Sequence, residues 1–268
     1  MSVFFLYEIT WIVSIYIHYS RNIYRWECHY VPPARRIHFQ TKAEPPFEIL
    51  WDKSDDIPDK KLKLFSASLY GQKDVYLKGA VRMANNIKTH FNDWNLIIFV
   101  HEDVDASVKN DLRHHGAIIM EVRDPIMVPG NSSGMFWRFM PMAWGHKCIV
   151  SDVDSTWNVL TFKKFINAWD KSGQSSFRYM DKFSFPWPKN HIKGGYFGFS
   201  GLTLDEKEIQ NPGVRSRFGS DEIFLAYRII PELYKKGIVT LFPSHFAKVS
   251  YILSPSHIPS KNNKLVVI

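Results

Sequence analysis

The clearest alternation of hydrophobic and polar positions lies between Lys63 and Ile230. Lys63 to Leu69 (KLFSASL) is a short, largely apolar run bounded by Asp59 and Gly71, which predicts a strand. From Tyr76 to His90 the period lengthens. Tyr76, Ala80, Ala84 and Ile87 share one face, with Lys78, Arg82 and Lys88 off it, the pattern of an amphipathic helix. Leu96 to Val100 (LIIFV) is continuously apolar, as a strand covered on both faces should be. Ser107 to His115 predicts a short helix, Ala117 to Val122 a strand, and Met135 to Ala143 a helix that Pro141 ends or kinks. Lys147 to Val150 (KCIV) reads as a buried strand, Thr161 to Trp169 as a helix, and Phe177 to Met180 and Gly198 to Leu202 as further strands. A last helix, Asp221 to Ile230, carries Ile223, Ala226, Tyr227 and Ile230 on one face and stops at Pro231. Strands and helices in alternation imply an α/β domain. Its sheet should be mostly parallel, with helices on both sides and ligands at the carboxyl ends of the strands.

The two ends depart from this pattern. Val3 to Tyr19 is apolar, but it is shorter than the ~20 residues that span a bilayer and is interrupted by Glu8, Thr10, Ser14 and His18. It lacks a basic n-region and a small-x-small cleavage site, so a cleaved signal peptide is not expected. The first expectation is an element docked on the fold; the second is membrane association through residues 3–36. Arg21, Arg25, Arg35, Arg36 and Lys42 follow with only Glu27 opposing, which in the second case keeps the rest of the chain on the cytoplasmic side. A secreted protein is not expected. Pro32, Pro33, Pro45 and Pro46 mark an extended linker, and Ser254 to Ile268 reads as an irregular basic tail. The organisation expected is therefore an N-terminal segment and linker (1–60), a catalytic α/β domain (61–250) and a tail (251–268).

Charge sharpens this division. The 34 Lys and Arg against 26 Asp and Glu give a formal net charge of +8, which points to an anionic partner. Residues 43–245, however, carry 26 basic and 24 acidic residues, so the central region is nearly neutral. A broad nucleic-acid-binding face is excluded, and the excess flanks the apolar N-terminal segment, where an anionic membrane would meet it. A hydrophobic content of 45% with 22% charged residues excludes disorder. The two cysteines, Cys28 and Cys148, exclude a disulfide framework and a cysteine-based zinc cluster.

The sharpest candidate chemistry is Ile149-Val150-Ser151-Asp152-Val153-Asp154-Ser155, where a buried strand ends and delivers two carboxylates one residue apart. Hard cations such as Mg2+ and Mn2+ need oxygen ligands and keep bound phosphate or water, so Asp152 and Asp154 can hold a metal against a diphosphate. The plain alternative is two solvated loop acids, or a cap for the next helix. Asp103-Val104-Asp105 also follows an apolar strand. Those acids immediately precede a helix, where the dipole favours them, and the metal is assigned to Asp152 and Asp154.

With that motif placed, the order of elements resembles the metal-dependent glycosyltransferases of the GT-A fold, the Asp-x-Asp class that uses nucleotide-diphosphate sugars. The resemblance runs from about Lys63 to His245 and has the flavour of surface-polysaccharide transferases of bacteria or large DNA viruses. It implies a GT-A-like Rossmannoid three-layer sandwich. Phe65-Ser66-Ala67-Ser68-Leu69-Tyr70-Gly71 stands where this class holds base and ribose, which makes Ser66, Ala67, Ser68 and Tyr70 nucleotide-binding candidates. Met135-Phe136-Trp137-Arg138-Phe139 resembles the helix beside the nucleotide, with Arg138 contacting the diphosphate through a bidentate fork or else lying in an ion pair. Gly194 and Gly195, in His191-Ile192-Lys193-Gly194-Gly195-Tyr196-Phe197-Gly198, border the donor sugar and acceptor. Their absent side chains either permit close backbone approach or form a turn. Phe218 to Leu225 resembles the "G-x-D-E/Q-x-x-L" segment, which makes Asp221 and Glu222 candidates for the catalytic base or, equally, acids at a helix start. His245 stands where many members complete the metal shell, and is otherwise a core histidine. Trp137, Trp187, Tyr196 and Phe197 either stack on sugar or base or belong to the core.

The resemblance implies transfer of a sugar from a nucleotide-diphosphate donor to a glycan or glycoprotein hydroxyl. The metal would be Mn2+ or Mg2+, bound with the donor by Asp152, Val153 and Asp154, and no nucleic acid would be a partner. If configuration inverts, a carboxylate must deprotonate the acceptor, and Asp221 is the first choice. One alternative is a haloacid-dehalogenase-like phosphatase, in which Asp152 of Asp152-Val153-Asp154-Ser155-Thr156 is the nucleophile. Another is a non-catalytic carbohydrate-binding module.

Overall fold

The computed structural model describes residues 44–50, 62–127, 133–154, 158–179, 194–201, 204–211, 215–216, 219–242 and 263–267. All belong to one of the chain's two compact units, residues 41–182 with 190–268. The expectations for 3–36, for Trp187, for His191-Ile192-Lys193 and for His245 lie outside these residues. Among the described residues, no helix is long and apolar enough to cross a membrane.

Among the described residues, nine strands form one sheet: β1 (Glu48–Leu50), β2 (Lys63–Leu69), β3 (Asn95–His101), β4 (Ile118–Arg123), β5 (Lys147–Val150), β6 (Ser176–Tyr179), β7 (Phe197–Phe199), β8 (Ile238–Phe242) and β9 (Asn263–Val267). Their spatial order is β1-β4-β3-β2-β5-β7-β6-β8-β9. The pairings β1–β4, β5–β7 and β7–β6 are antiparallel. The other five are parallel, so the mostly parallel α/β sheet expected from the alternation is the sheet observed. Because β7 runs against both neighbours, β5 and β6 point the same way. The carboxyl ends of β2, β3, β5 and β6 therefore share one edge of the sheet.

Alternation along the strands makes the two faces. On β2, Phe65, Ala67 and Leu69 join the cluster built with α1 (Asp74–His90), α2 (Ala106–His114) and α3 (Val159–Ser172). Leu64 of β2, with Ile97 and Phe99 of β3, joins the opposite cluster, built with a 3-10 helix (Ser133–Met142), α4 (Glu206–Gln210) and α6 (Ile230–Lys236). Ser66 and Ser68 share the second face by the same alternation. Aromatic side chains fill much of both layers. Phe65 meets Phe91, Trp94 and Phe162 at centroid distances of 5.2, 5.1 and 5.7 Å. Trp137 and Phe197 are fully buried, which settles them as core rather than as stacking platforms.

Three local expectations are corrected or refined. The Met135–Ala143 segment is helical as expected, but winds as a 3-10 helix, Ser133–Met142, that ends one residue after Pro141. Pro231 does not stop the last helix. Helix α5 (Ser220–Phe224) passes through a π-helical turn (Leu225–Ile229) into α6, and the wider turn stands immediately before the segment that holds Pro231. In the tail expected to be irregular, Asn263–Val267 pairs as β9 with β8.

Candidate active site

The site begins with two serines. Ser66 and Ser68 occupy alternate positions of β2 on the face of the 3-10 helix and are buried. Ser66 Oγ donates to the carbonyl of Arg138 at 2.7 Å, and Ser68 Oγ accepts from the Arg138 N–H at 3.1 Å. These hydroxyls hold the Arg138 backbone on the sheet, satisfying groups that a 3-10 segment interrupted by proline leaves open. Ala67 points to the opposite core and is fully buried.

Arg138 is itself buried, and its guanidinium joins two distant elements. Nη1 donates to Asp152 Oδ1, just past β5, and Nη2 donates to Asp221 Oδ2, in the first turn of α5, at 3.1 Å. The fork expected for a diphosphate is thus committed to carboxylates, because both acids converge on it from within the fold. Burial disfavours its charge, but Asp152 and Asp221 outweigh that and raise its pKa. Nε of Arg138 is buried without a hydrogen-bond partner.

The two carboxylates differ in environment. Asp221 is 3% exposed and its pKa is raised. Burial is the main cause, opposed by the Arg138 charge and by a backbone N–H. Asp152 is half-buried, and Asp154 is exposed. Glu222, beside Asp221, is half-buried, and its charge adds to the rise at Asp221.

Close approach explains the glycines. A Cβ on Gly195 would stand 2.1 Å from Asp152 Oδ2, and one on Gly194 would stand 2.5 Å from Arg138 Nη2 and 3.0 Å from Asp221 Oδ2. Neither glycine adopts a left-handed φ, so space, not backbone conformation, is what they provide. On the opposite face a Cβ on Gly79 of α1 would lie 2.1 Å from the carbonyl oxygen of Val153. Helix α1 thereby packs directly on the backbone of the Asp-x-Asp turn, a contact the sequence reading missed. Its signal was a glycine in the middle of an otherwise regular helical pattern, where it costs about 1 kcal/mol relative to alanine.

Tyr70 ends the row. Its ring covers Gly134, where a Cβ would come within 2.3 Å, and meets Trp137 edge-on at 5.7 Å. Burial pushes its pKa up to about 12, so it is a neutral phenol at physiological pH. The rival acids stand just before α2, as the sequence placed them. Asp103 Oδ1 lies 2.6 Å from His101 Nδ1, and Asp105 immediately precedes α2.

The donor set suits a divalent cation. Arg138 balances only one of the two carboxylates it holds, so the group keeps one excess negative charge, and exposed Asp154 adds to it. Hard oxygen donors with surplus charge, open to solvent on one side, fit Mg2+ or Mn2+, whose shell substrate phosphates and water complete. Among the described residues, no group of three His, Cys, Asp or Glu side chains is placed to hold a metal, so Asp152 and Asp154 would need those outside ligands.

No family model matches this chain, and no curated protein matches it. Solved structures give loose likenesses. S. aureus TarS 1-349 in complex with UDP is 13% identical, with a TM-score of 0.41, over 61% of this chain and 54% of that one. A mannosyltransferase, PcManGT from Pyrobaculum calidifontis, in complex with GDP-Man and Mn2+, is 10% identical, with a TM-score of 0.38, over 70% of this chain and 52% of that one. A mycobacterial protein is 10% identical, with a TM-score of 0.37, over 52% and 53%. The chain matches about half the length of these structures, and a likeness of this size carries no chemistry.

Proposed function

We propose that this chain is a glycosyltransferase that moves a sugar from a nucleotide-diphosphate donor to a hydroxyl of a glycan or glycoprotein, with Asp152 and Asp154 as the ligands of a divalent cation. One observation carries the proposal. Arg138 draws the strand-end carboxylate of the Asp-x-Asp turn and the buried carboxylate of α5 to a single point, at the sheet edge where α/β folds bind ligands, and the absent side chains of Gly194 and Gly195 let these groups lie against the backbone.

The roles divide by environment. Asp152 and Asp154 would hold the cation, whose chemistry is Lewis-acid stabilisation of the departing diphosphate. Asp221 would take the proton of the acceptor hydroxyl. Its raised pKa makes it a stronger base than an ordinary carboxylate, while the Arg138 guanidinium favours its ionised form and fixes its direction. Arg138 also orients Asp152, leaving Oδ2 of that side chain over Gly195. Tyr70, neutral and half-buried at the end of β2, offers a ring edge and a hydroxyl to the nucleotide. Attack by the acceptor opposite the leaving group, assisted by a base, inverts the anomeric centre, and that is the stereochemistry this arrangement favours.

The test is release of nucleoside diphosphate from a panel of nucleotide sugars with Mn2+ and a hydroxyl acceptor. Turnover that depends on metal and is lost in Asp152→Ala and Asp154→Ala is expected. Phosphate release from simple phosphomonoesters would identify a phosphatase with Asp152 as nucleophile. Saccharide binding without turnover would identify a carbohydrate-binding module.

A further inference from the structure

Behind the site lies a second buried arginine that touches neither Asp152 nor Asp221. Arg215 grips Asp124 with both terminal nitrogens, Nη1 to Oδ2 at 2.7 Å and Nη2 to Oδ1 at 3.3 Å, and neither side chain has exposed surface. Nη1 also donates to Ser133 Oγ at 2.8 Å, and Nη2 to the carbonyl of Pro45 at 2.5 Å. Asp124 Oδ2 accepts further hydrogen bonds from Ser133 Oγ at 2.5 Å and from Trp137 Nε1 at 3.1 Å. Glu44 accepts from the backbone N–H of Arg215 at 2.5 Å and from the hydroxyl of Ser216 at 2.5 Å.

The network meets the site at two places. Trp137 precedes Arg138 in the 3-10 helix. On the other side, Ser220, which precedes Asp221 and opens α5, donates through its Oγ to the carbonyl of Arg215 at 3.2 Å. One carboxylate, Asp124, therefore ties down the segment that carries the guanidinium, and its partner Arg215 ties down the segment that carries the base. Taking two charges out of water is costly, and a buried pair is often no more stabilising than apolar residues of the same volume. A bidentate fork, however, fixes both distance and angle. What the network supplies best is geometry.

We infer that Arg215, held by Asp124, is a positioning residue that sets how the Arg138 guanidinium and the Asp221 carboxylate meet. The inference rests on the proposed role of Asp221 as base. Its consequence is that a change at Arg215, which contacts neither Asp152 nor Asp154, acts on catalysis through Arg138 and Asp221.

The test is a double-mutant cycle read by melting temperature, with turnover measured beside it. Arg215→Lys keeps the charge and loses the fork. Asp221→Asn should change Tm by less than half as much in the Arg215→Lys background as in the wild type, because the pair it removes is already loosened. An equal change in both backgrounds overturns the inference, since two sites without coupling add. In turnover, Arg215→Lys should lower kcat by about 10²-fold with the donor KM within about threefold, as a misplaced catalytic group does. An unchanged kcat per folded molecule overturns it. Should Arg215→Lys fail to fold, Glu44→Ala, at the margin of the network, enters the same two measurements. A wild type that transfers no sugar sinks the glycosyltransferase proposal alone, because the thermal cycle still decides the positioning role.

Discussion

Two buried arginines, 77 positions apart in the chain, show how one residue type serves two ends. The side chains of Arg215 and Asp124 have no exposed surface, and their charges cancel. Arg138 is shared between two carboxylates, one buried and one 39% exposed, so its group is left with surplus negative charge on the solvent side. A cancelled, closed pair can hold segments in place but has nothing to offer a ligand. An unbalanced, open group has the charge and access that the proposed cation and base require. Net charge and access, rather than burial alone, separate the structural arginine from the site arginine.

The comparison breaks or sharpens with substitutions of decreasing effect. Asp152→Ala removes the open carboxylate, and turnover should fall by about 10³-fold, near the upper end for loss of one electrostatic contact. A fall that is no larger for Asp152→Ala than for Arg215→Lys would erase the distinction between the two regions. Arg215→Met and Arg138→Met each strand a buried carboxylate and should each lower stability by about 3–5 kcal/mol in urea unfolding. Adding Asp124→Leu to Arg215→Met should recover much of that stability, because no orphan charge remains. Adding Asp221→Leu to Arg138→Met should recover stability without recovering turnover.

Smaller effects probe the walls. Gly195→Ala and Gly79→Ala each force a Cβ to within 2.1 Å of a polar atom of the Asp-x-Asp turn, and overpacking of this kind costs about 1–3 kcal/mol. Gly195→Ala should reduce turnover more than Gly79→Ala, because it meets the Asp152 carboxylate itself and not the backbone behind it. The smallest effect is a shift in pH. A base must be ionised to work, and burial raises the Asp221 pKa. Activity should therefore fall, as pH drops, at a higher pH than the ordinary Asp value of about 3.9. By the same linkage, the stability Asp221 contributes is present at low pH and declines as pH rises through its raised pKa. Asp221→Asn should flatten that decline in urea midpoints measured across the acid range.

Much of this was legible in the sequence wherever the information is local. Apolar runs such as Leu96 to Val100, and the spacing of Ala80, Ala84 and Ile87, report burial directly, and the parallel sheet follows from their alternation. Asp152 stood out because a buried strand delivers it. Arg138 was read as a diphosphate contact or a member of an ion pair, and it lies in ion pairs; which acids it meets was not legible, since nothing in the sequence shows that Asp221, 83 positions away, reaches the same guanidinium. Ser66 and Ser68 were read as nucleotide-binding candidates, and their bonds to the Arg138 backbone were not foreseen. Two hydroxyls on alternate positions of an otherwise apolar strand mark a face that must satisfy a neighbour's backbone, and the neighbour was the 3-10 helix. The Arg215–Asp124 pair left no trace, because its members lie 91 positions apart in segments without periodicity.

The central claim is that the open carboxylates bind a nucleotide sugar through a cation, and a thermal titration tests it directly. A ligand bound only by the folded state adds about 2.7 kcal/mol at 100 times its Kd, which for a chain of this size corresponds to about 5–10 °C in Tm. With Mn2+ present, one nucleotide sugar of a panel should raise Tm by that amount in the wild type and leave Asp152→Ala unmoved. No responder in the panel, or an equal rise without Mn2+ and in Asp152→Ala, would contradict the account.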